Sequence, residues 1–256
     1  MIEYPLVSVN LVTYKRAHLI RRALDSILRQ DYPNFEVIIV DDNSPDHTQE
    51  VVNEYLGRHK NIQYIRHNVN LGSPSARNTA ISHSKGEYIA FMDDDDEWID
   101  DNKLMRQAKF FTDDTKNEFA IICSNVEIKT LKKVFVKRNN HTHDFIKRIA
   151  TYNGLIFCPT VMVRRSTIDL TGGFDTEMKR GDDADFYRML ILIYGYNVFF
   201  EDKITTRIYR EDNTSQTTAR SVESYKTYLD FIDKTISKYK TWIVSDTDIC
   251  DYWYTL

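Results

Sequence analysis

Five consecutive acids, Asp93-Asp94-Asp95-Asp96-Glu97, follow the apolar run Tyr88-Ile89-Ala90-Phe91-Met92 without a gap. Like charges at this density repel, and if buried without a cation some would have to take up protons. In extended chain, residues i and i+2 point the same way, so Asp93 and Asp95 can face one site while Asp94 points elsewhere. Such hard oxygen ligands suit Mg²⁺ or Mn²⁺, and Mg²⁺ typically takes one or two carboxylates plus substrate phosphates. A solvated acidic turn is the plainer reading. The position at the carboxyl end of an apolar strand, where open parallel sheets bind ligands, favours the site. Asp96, Glu97, Asp100 and Asp101 are read as acids at the start of the next helix, favoured there by its dipole. Asp182-Asp183 is a second carboxylate pair. One of the two is expected to cap the helix that starts near Ala184. Asp41-Asp42-Asn43-Ser44 stops another apolar run, and by type alone these are turn residues.

The elements that must position these acids alternate along the first hundred residues. Leu6 to Val12, Phe35 to Val40, Ile62 to Ile65 and Tyr88 to Met92 read as strands, the first and last apolar enough to be buried on both faces. Between them, Ala17 to Gln30, Thr48 to Leu56 and Pro74 to Ser82 read as helices, with Pro74 suited to a first turn. This order implies an α/β fold with a mainly parallel sheet flanked by helices. Further on, helices are expected at 102–111, 184–194 and 221–239, and strands at 119–124, 160–163 and 197–200. Lys129 to His143 is polar and basic and reads as an excursion or flexible loop.

The chain has 256 residues and a net charge of −4, with 26 Asp against 12 Glu. The length suits one large domain or a domain with an extension. The negative balance argues against a nucleic-acid-binding surface. Three widely spaced cysteines without a CxxC suggest neither a zinc ribbon nor a disulfide framework and fit a reducing cytoplasm. The N-terminal residues lack the build of a signal peptide. The longest apolar run, Met189 to Phe200, is too short for a bilayer, which needs about 20 apolar residues.

Taken together, the motifs resemble those of family 2 glycosyltransferases of the GT-A (Rossmann-like) fold, inverting enzymes that use nucleotide sugars. Val7 to Arg16 is similar to the family's opening strand, and Val40-Asp41-Asp42-Asn43-Ser44 to its second-strand motif. Asn70-Leu71-Gly72 through Ala76-Arg77-Asn78 resembles its G-x-x-x-A-R-N segment, and Tyr88 to Trp98 its DXD strand. Gly172-Gly173-Phe174-Asp175 resembles its GGFD turn, and Gly181 to Phe186 its late acidic motif. The resemblance covers roughly residues 6–210.

It implies a UDP-sugar donor, a saccharide or lipid-linked saccharide acceptor, and Mn²⁺ or Mg²⁺. Asp42 would accept from the uracil N3–H, with Thr13 and Tyr14 flanking the base. Arg77 would contact the nucleotide and Asp93 the ribose. Asp95 would bind the cation, with Asp94 or Asp96 open as a sharer. Asp183 is the implied general base, with Asp182 the alternative. Arg210 would pair with the diphosphate, although Asp212 stands where the family often has His. Gly172 and Gly173 would let the backbone pass close to donor or acceptor.

The resemblance also implies a GT-A catalytic domain over 1–215, with a nucleotide-sugar half to about 125 and an acceptor half over about 126–215. A helical extension over 216–256 would follow. A cytoplasmic enzyme of bacterial surface polysaccharide assembly is implied, peripheral on the inner face of the membrane. The last helix and the aromatic tail (Trp242, Tyr252, Trp253, Tyr254) are open to a membrane surface, to a second subunit of a homodimer, or to packing on the core. His141 and His143 lie in a polar loop and read as solvated. A haloacid-dehalogenase-type phosphatase ranks low because Glu97 stands where that class has a small residue. A nicotinamide dehydrogenase is disfavoured by the lack of GxGxxG after the first strand. The competing reading is a non-catalytic nucleotide-sugar-binding relative or scaffold.

Overall fold

The structure, a computed structural model, describes residues 4–138, 145–151, 155–210 and 222–241. Four strands, β1 (Val7–Thr13), β2 (Phe35–Asp41), β3 (Ile62–Arg66) and β4 (Tyr88–Asp93), form a parallel half-sheet in the order β3-β2-β1-β4. Their connections are helices α1 (Ile20–Leu28), α2 (Thr48–Leu56) and α3 (Ser73–His83). The sheet continues through β8 (Met162–Arg164), antiparallel to β4, then β6 (Phe119–Thr130), β9 (Asn197–Arg210) and β5 (Glu97–Trp98). Strand β7 (Val134–Lys137) pairs antiparallel with β6.

The period-two alternation of strand side chains divides the core. Tyr88, Ala90 and Met92 of β4 join Val7, Val9 and Leu11 of β1 under α1, α2 and α4 (Lys103–Asp113). Ile89 and Phe91 point the other way, against Ile121, Phe174, Phe186 and Leu190. This two-sided burial explains the near-continuous apolar runs of the sequence.

Several expectations are corrected. Residues 129–137 are no simple excursion: β6 runs on to Thr130 and β7 returns beside it, while 139–143 lie outside the described residues. Glu97 belongs to a short strand pairing with Arg207 of β9 and is not a helix-start acid. Its neighbour Trp98 is fully buried, with its indole N–H donating to the Pro159 carbonyl at 2.6 Å. Burial of that ring overrides the helix-start pattern around it. The apolar helix predicted over 184–194 is α7 (Asp182–Arg188) followed by a π-helical turn over Met189–Ile193. Neither Asp182 nor Asp183 caps α7, because Gly181 takes that place with φ 65° and the acids fall in the first turn. Two helices without a clear periodic signal, α5 (Phe145–Thr151) and α6 (Arg165–Thr171), complete the described elements before α8 (Val222–Tyr239).

Helix α8 is tied to α7. Phe231 and Ile232 are buried with Met178, Lys238 Nζ donates to Asp185 Oδ2 at 2.7 Å, and the Tyr239 hydroxyl donates to Asp185 Oδ1 at 2.8 Å. His141, His143, Asp212 and the tail aromatics lie outside the described residues.

Two stability predictions arise here. Trp98→Ala empties a fully buried site at the junction of β5 and β9. It should cost about 3–5 kcal/mol, measured by urea unfolding. Lys103 of α4 is also fully buried, its Nζ donating to Gln107 Oε1 at 2.8 Å and lying 4.3 Å from the Trp98 ring centre. Burial pushes its pKa down to about 7. The unfolded chain therefore holds this proton up to about pH 10.4 while the folded chain releases it above 7. Stability should rise with pH across that window, and Lys103→Met should remove up to about 1.4 kcal/mol per pH unit of that slope in unfolding measured from pH 7 to 9.

Candidate active site

The acids meet because the parallel strands end together. Register places Thr13 of β1 beside Asp41 of β2, and Val12 beside Asp93 of β4. The Asp42 amide donates to the Thr13 carbonyl at 2.9 Å, closing the edge just past the strands. Thr13 and Asp42 are buried there, while Tyr14 is partly exposed with Lys15 Nζ 4.9 Å from its ring centre. This edge is the crevice outside the carboxyl ends where open α/β sheets bind ligands.

Asp42 is held by the loop after β3. Its Oδ1 accepts from the Leu71 amide at 2.8 Å and lies 2.7 Å from His67 Nδ1, and its Oδ2 accepts from the Gly72 amide at 2.7 Å. A carboxylate offers about four acceptor positions, so these three contacts leave room for one more donor.

The acid run alternates. Asp93, Asp95 and Glu97 are partly exposed, whereas Asp94 and Asp96 are buried. Burial pushes Asp94 up to about 7 against the pull of Arg16, and burial also raises Asp93 and Asp96, with Asp95 adding repulsion to each. The side chains that answer this charge are arginines. Arg16 pairs with Asp95 and stands 3.5 Å from Asp94. Arg22 donates to the Asp95 carbonyl and lies 3.5 Å from the centre of the Tyr209 ring. The Tyr209 amide donates to Asp96 Oδ1 at 3.2 Å and its hydroxyl to Glu97 Oε2 at 2.8 Å. Arg16, Arg22 and Tyr209 had no assigned role. The only hint in sequence is that Arg16 follows β1 by three residues and so shares the edge.

Arg77 of α3 links the acid run to the second pair. Its guanidinium donates to Asp93 Oδ1 at 3.0 Å with one nitrogen and to Asp182 Oδ2 with the other, and it lies 5.4 Å from the Phe174 ring centre. Burial opposes its charge, but Asp182 and Asp93 together hold it firmly protonated. Asp182 is thus neutralised by a buried partner. Among the described residues Asp183 beside it has no ion pair: its Oδ1 accepts from the Ala184 amide at 2.8 Å, and burial, then repulsion from Asp182, pushes its pKa up to about 6. Arg210 is exposed at the end of β9, opposite Thr130 of β6 and one residue beyond Tyr209.

The glycine turn docks on α3. The Asn78 side chain accepts from the Phe174 amide and donates to its carbonyl, both at 2.8 Å. At Gly173, with φ 84°, a Cβ would lie 2.5 Å from Asn78 Oδ1, whereas one at Gly172 would meet nothing within 4 Å. The close approach at Gly173 is to Asn78.

Among the described residues, no three or more His, Cys, Asp or Glu side chains converge as a closed metal cage. An acid cluster at an open edge, only partly matched by Arg16 and Arg77, fits instead a cation that takes one or two carboxylates and completes its shell with substrate phosphates. No helix among these residues is long and apolar enough to cross a membrane.

A Rossmann-like parallel half-sheet with acids at its carboxyl edge, continued by a mixed half, is the GT-A class of fold. Residues 8–171 match the sequence model of Glycosyl transferase family 2, and the chain belongs to that family. It is 32% identical over 170 residues to an Escherichia coli protein named UDP-Glc:alpha-D-GlcNAc-diphosphoundecaprenol beta-1,3-glucosyltransferase WfgD, covering 64% of this chain and 62% of that one. The fold is similar to mannosyltransferase PcManGT from Pyrobaculum calidifontis, solved with GDP-Man and Mn²⁺. That match has a TM-score of 0.68 and 22% identity over 93% of this chain and 64% of that chain. It is also similar to S. aureus TarS 1-349 in complex with UDP, with a TM-score of 0.62 and 21% identity over 90% of this chain and 72% of that chain.

Proposed function

We propose that this chain is an inverting, metal-dependent glycosyltransferase that moves a sugar from a UDP-sugar to a saccharide or lipid-linked saccharide acceptor in bacterial surface polysaccharide assembly. The observation that carries the reading is the convergence of three acidic motifs on one sheet edge, with Arg77 between two of them. The 32%-identical relative, named for a UDP-Glc donor and a diphosphoundecaprenol-linked acceptor, supports the donor and acceptor classes.

Asp42 uses its remaining acceptor position for the uracil N3–H, with Thr13 and Tyr14 beside the base. Asp93 receives the ribose hydroxyls while paired with Arg77. A divalent cation held by Asp95, with the buried Asp94 behind it, would supply neutralisation of the charge that builds on the departing diphosphate. Arg210 would add a fork of donors to the same phosphates. Asp183 takes the proton of the acceptor hydroxyl as that oxygen attacks the anomeric carbon opposite the leaving group. Asp182 is the positioning partner, because its charge is committed to Arg77.

The reading is tested by thermal unfolding with UDP and Mn²⁺. Ligand at one hundred times its Kd should stabilise the fold by about 2.7 kcal/mol, and EDTA should abolish the shift. No shift at millimolar ligand would overturn the site. A shift without sugar transfer across an acceptor panel would favour a binding module.

A further inference from the structure

We propose that the β6–β7 hairpin is a membrane-docking element that seats on an anionic lipid bilayer. The turn is built tightly. The Thr130 amide donates to the Lys133 carbonyl at 2.9 Å, and the Thr130 hydroxyl oxygen accepts from the Lys133 amide at 3.0 Å. This places Leu131 at the apex with 71% of its surface exposed. Val134, Phe135 and Val136 follow, exposed by 54%, 40% and 43%. A surface strand normally alternates, hiding every second side chain. Three successive exposed apolar residues and an exposed leucine apex have no core to serve, and a contiguous patch of this kind marks an interaction surface.

The charge around the patch selects the occupant. Residues 129–138 carry Lys129, Lys132, Lys133, Lys137 and Arg138 and no acid, in a chain whose net charge is −4. Arg138 is paired with Asp202 at 2.6 Å, and Lys133 Nζ lies 5.0 Å from the Phe135 ring centre. A symmetric contact with a second copy would lay these cations against their own image. A flat protein partner would engage one face of β7 and leave the other apolar face and the apex in water. An anionic bilayer serves all three, with apolar side chains at the acyl boundary and lysines among the headgroups. The hairpin also leaves the sheet at the end that carries the acids. Thr130 is paired with Arg210, and the neighbouring Tyr209 amide is bonded to Asp96.

The test is flotation of the full chain with phosphatidylcholine vesicles, with and without phosphatidylglycerol. Binding is expected only with the anionic lipid and should weaken as salt is raised. Lys132→Gln with Lys133→Gln should lower partitioning by about twenty-fivefold, about fivefold per lysine. Leu131→Ser with Phe135→Ser should lower it several-fold at unchanged net charge, which simple headgroup attraction would not do. All four side chains are exposed, so melting temperatures should match the parent and exclude misfolding. The proposal is overturned if the parent ignores anionic vesicles, if it binds neutral ones equally, or if both double variants bind as the parent does. It is also overturned if the variants only convert a dimer into a monomer.

Discussion

Asp183→Asn should lower kcat by about 10²- to 10⁴-fold, the range a positioned general base contributes, while leaving UDP binding close to that of the parent. The geometry separates Asp183 from its neighbour. Asp182 gives its charge to Arg77 inside the protein, whereas among the described residues Asp183 accepts a hydrogen bond from the Ala184 amide, which leaves acceptor capacity. Burial and the nearby Asp182 raise Asp183 to about 6, closer to working pH and better matched to taking a proton than an ordinary carboxylate. The sign of the pH effect follows. Only the deprotonated form accepts a proton, so kcat/KM should be flat above about pH 7 and fall about tenfold per unit below 6. A profile that stays flat to pH 5, or an Asp183→Asn variant with full turnover, would remove Asp183 from the role. Asp182→Asn should behave differently, losing stability as well as rate, because it deprives Arg77 of a buried partner.

Arg77→Met should cost about 3–5 kcal/mol of stability, because two carboxylates are left without their cation. For a chain of this size that is a fall of roughly 6–20 °C in melting temperature, measured by calorimetry. Lys should rescue poorly. A single ammonium on a flexible stem does not reproduce a planar fork donating to Asp93 and Asp182 at once. A drop of under 1 kcal/mol would show that the two acids do not depend on Arg77.

The parallel half of the fold was legible because its strands are buried on both faces, α1 is amphipathic and Pro74 marks the first turn of α3. The same reasoning located the acids, since a strand end is a position in sequence as well as in space. What was not legible depends on long-range contacts. Arg16 is separated from Asp95 by 79 residues, and no spacing rule joins them. Trp98 turns an acid-rich segment into a strand because a pocket beside Pro159 exists to receive its ring. The basic stretch around Lys132 looked like loop because β7 shows its apolar residues to solvent, and exposure is invisible in composition. Sequence alone does not distinguish Asp182 from Asp183; the ion pair of Arg77 with Asp182 is a contact 105 residues apart in the chain.

The most direct measurement is release of UDP from a panel of common UDP-sugars, with Mn²⁺ or Mg²⁺ and then with EDTA. Turnover of at least one donor, abolished by chelation and restored by either ion, is the expected result. Protein that neither binds nor turns over any of them in the presence of metal would contradict a metal-dependent glycosyltransferase built on Asp42, Asp95 and Asp183.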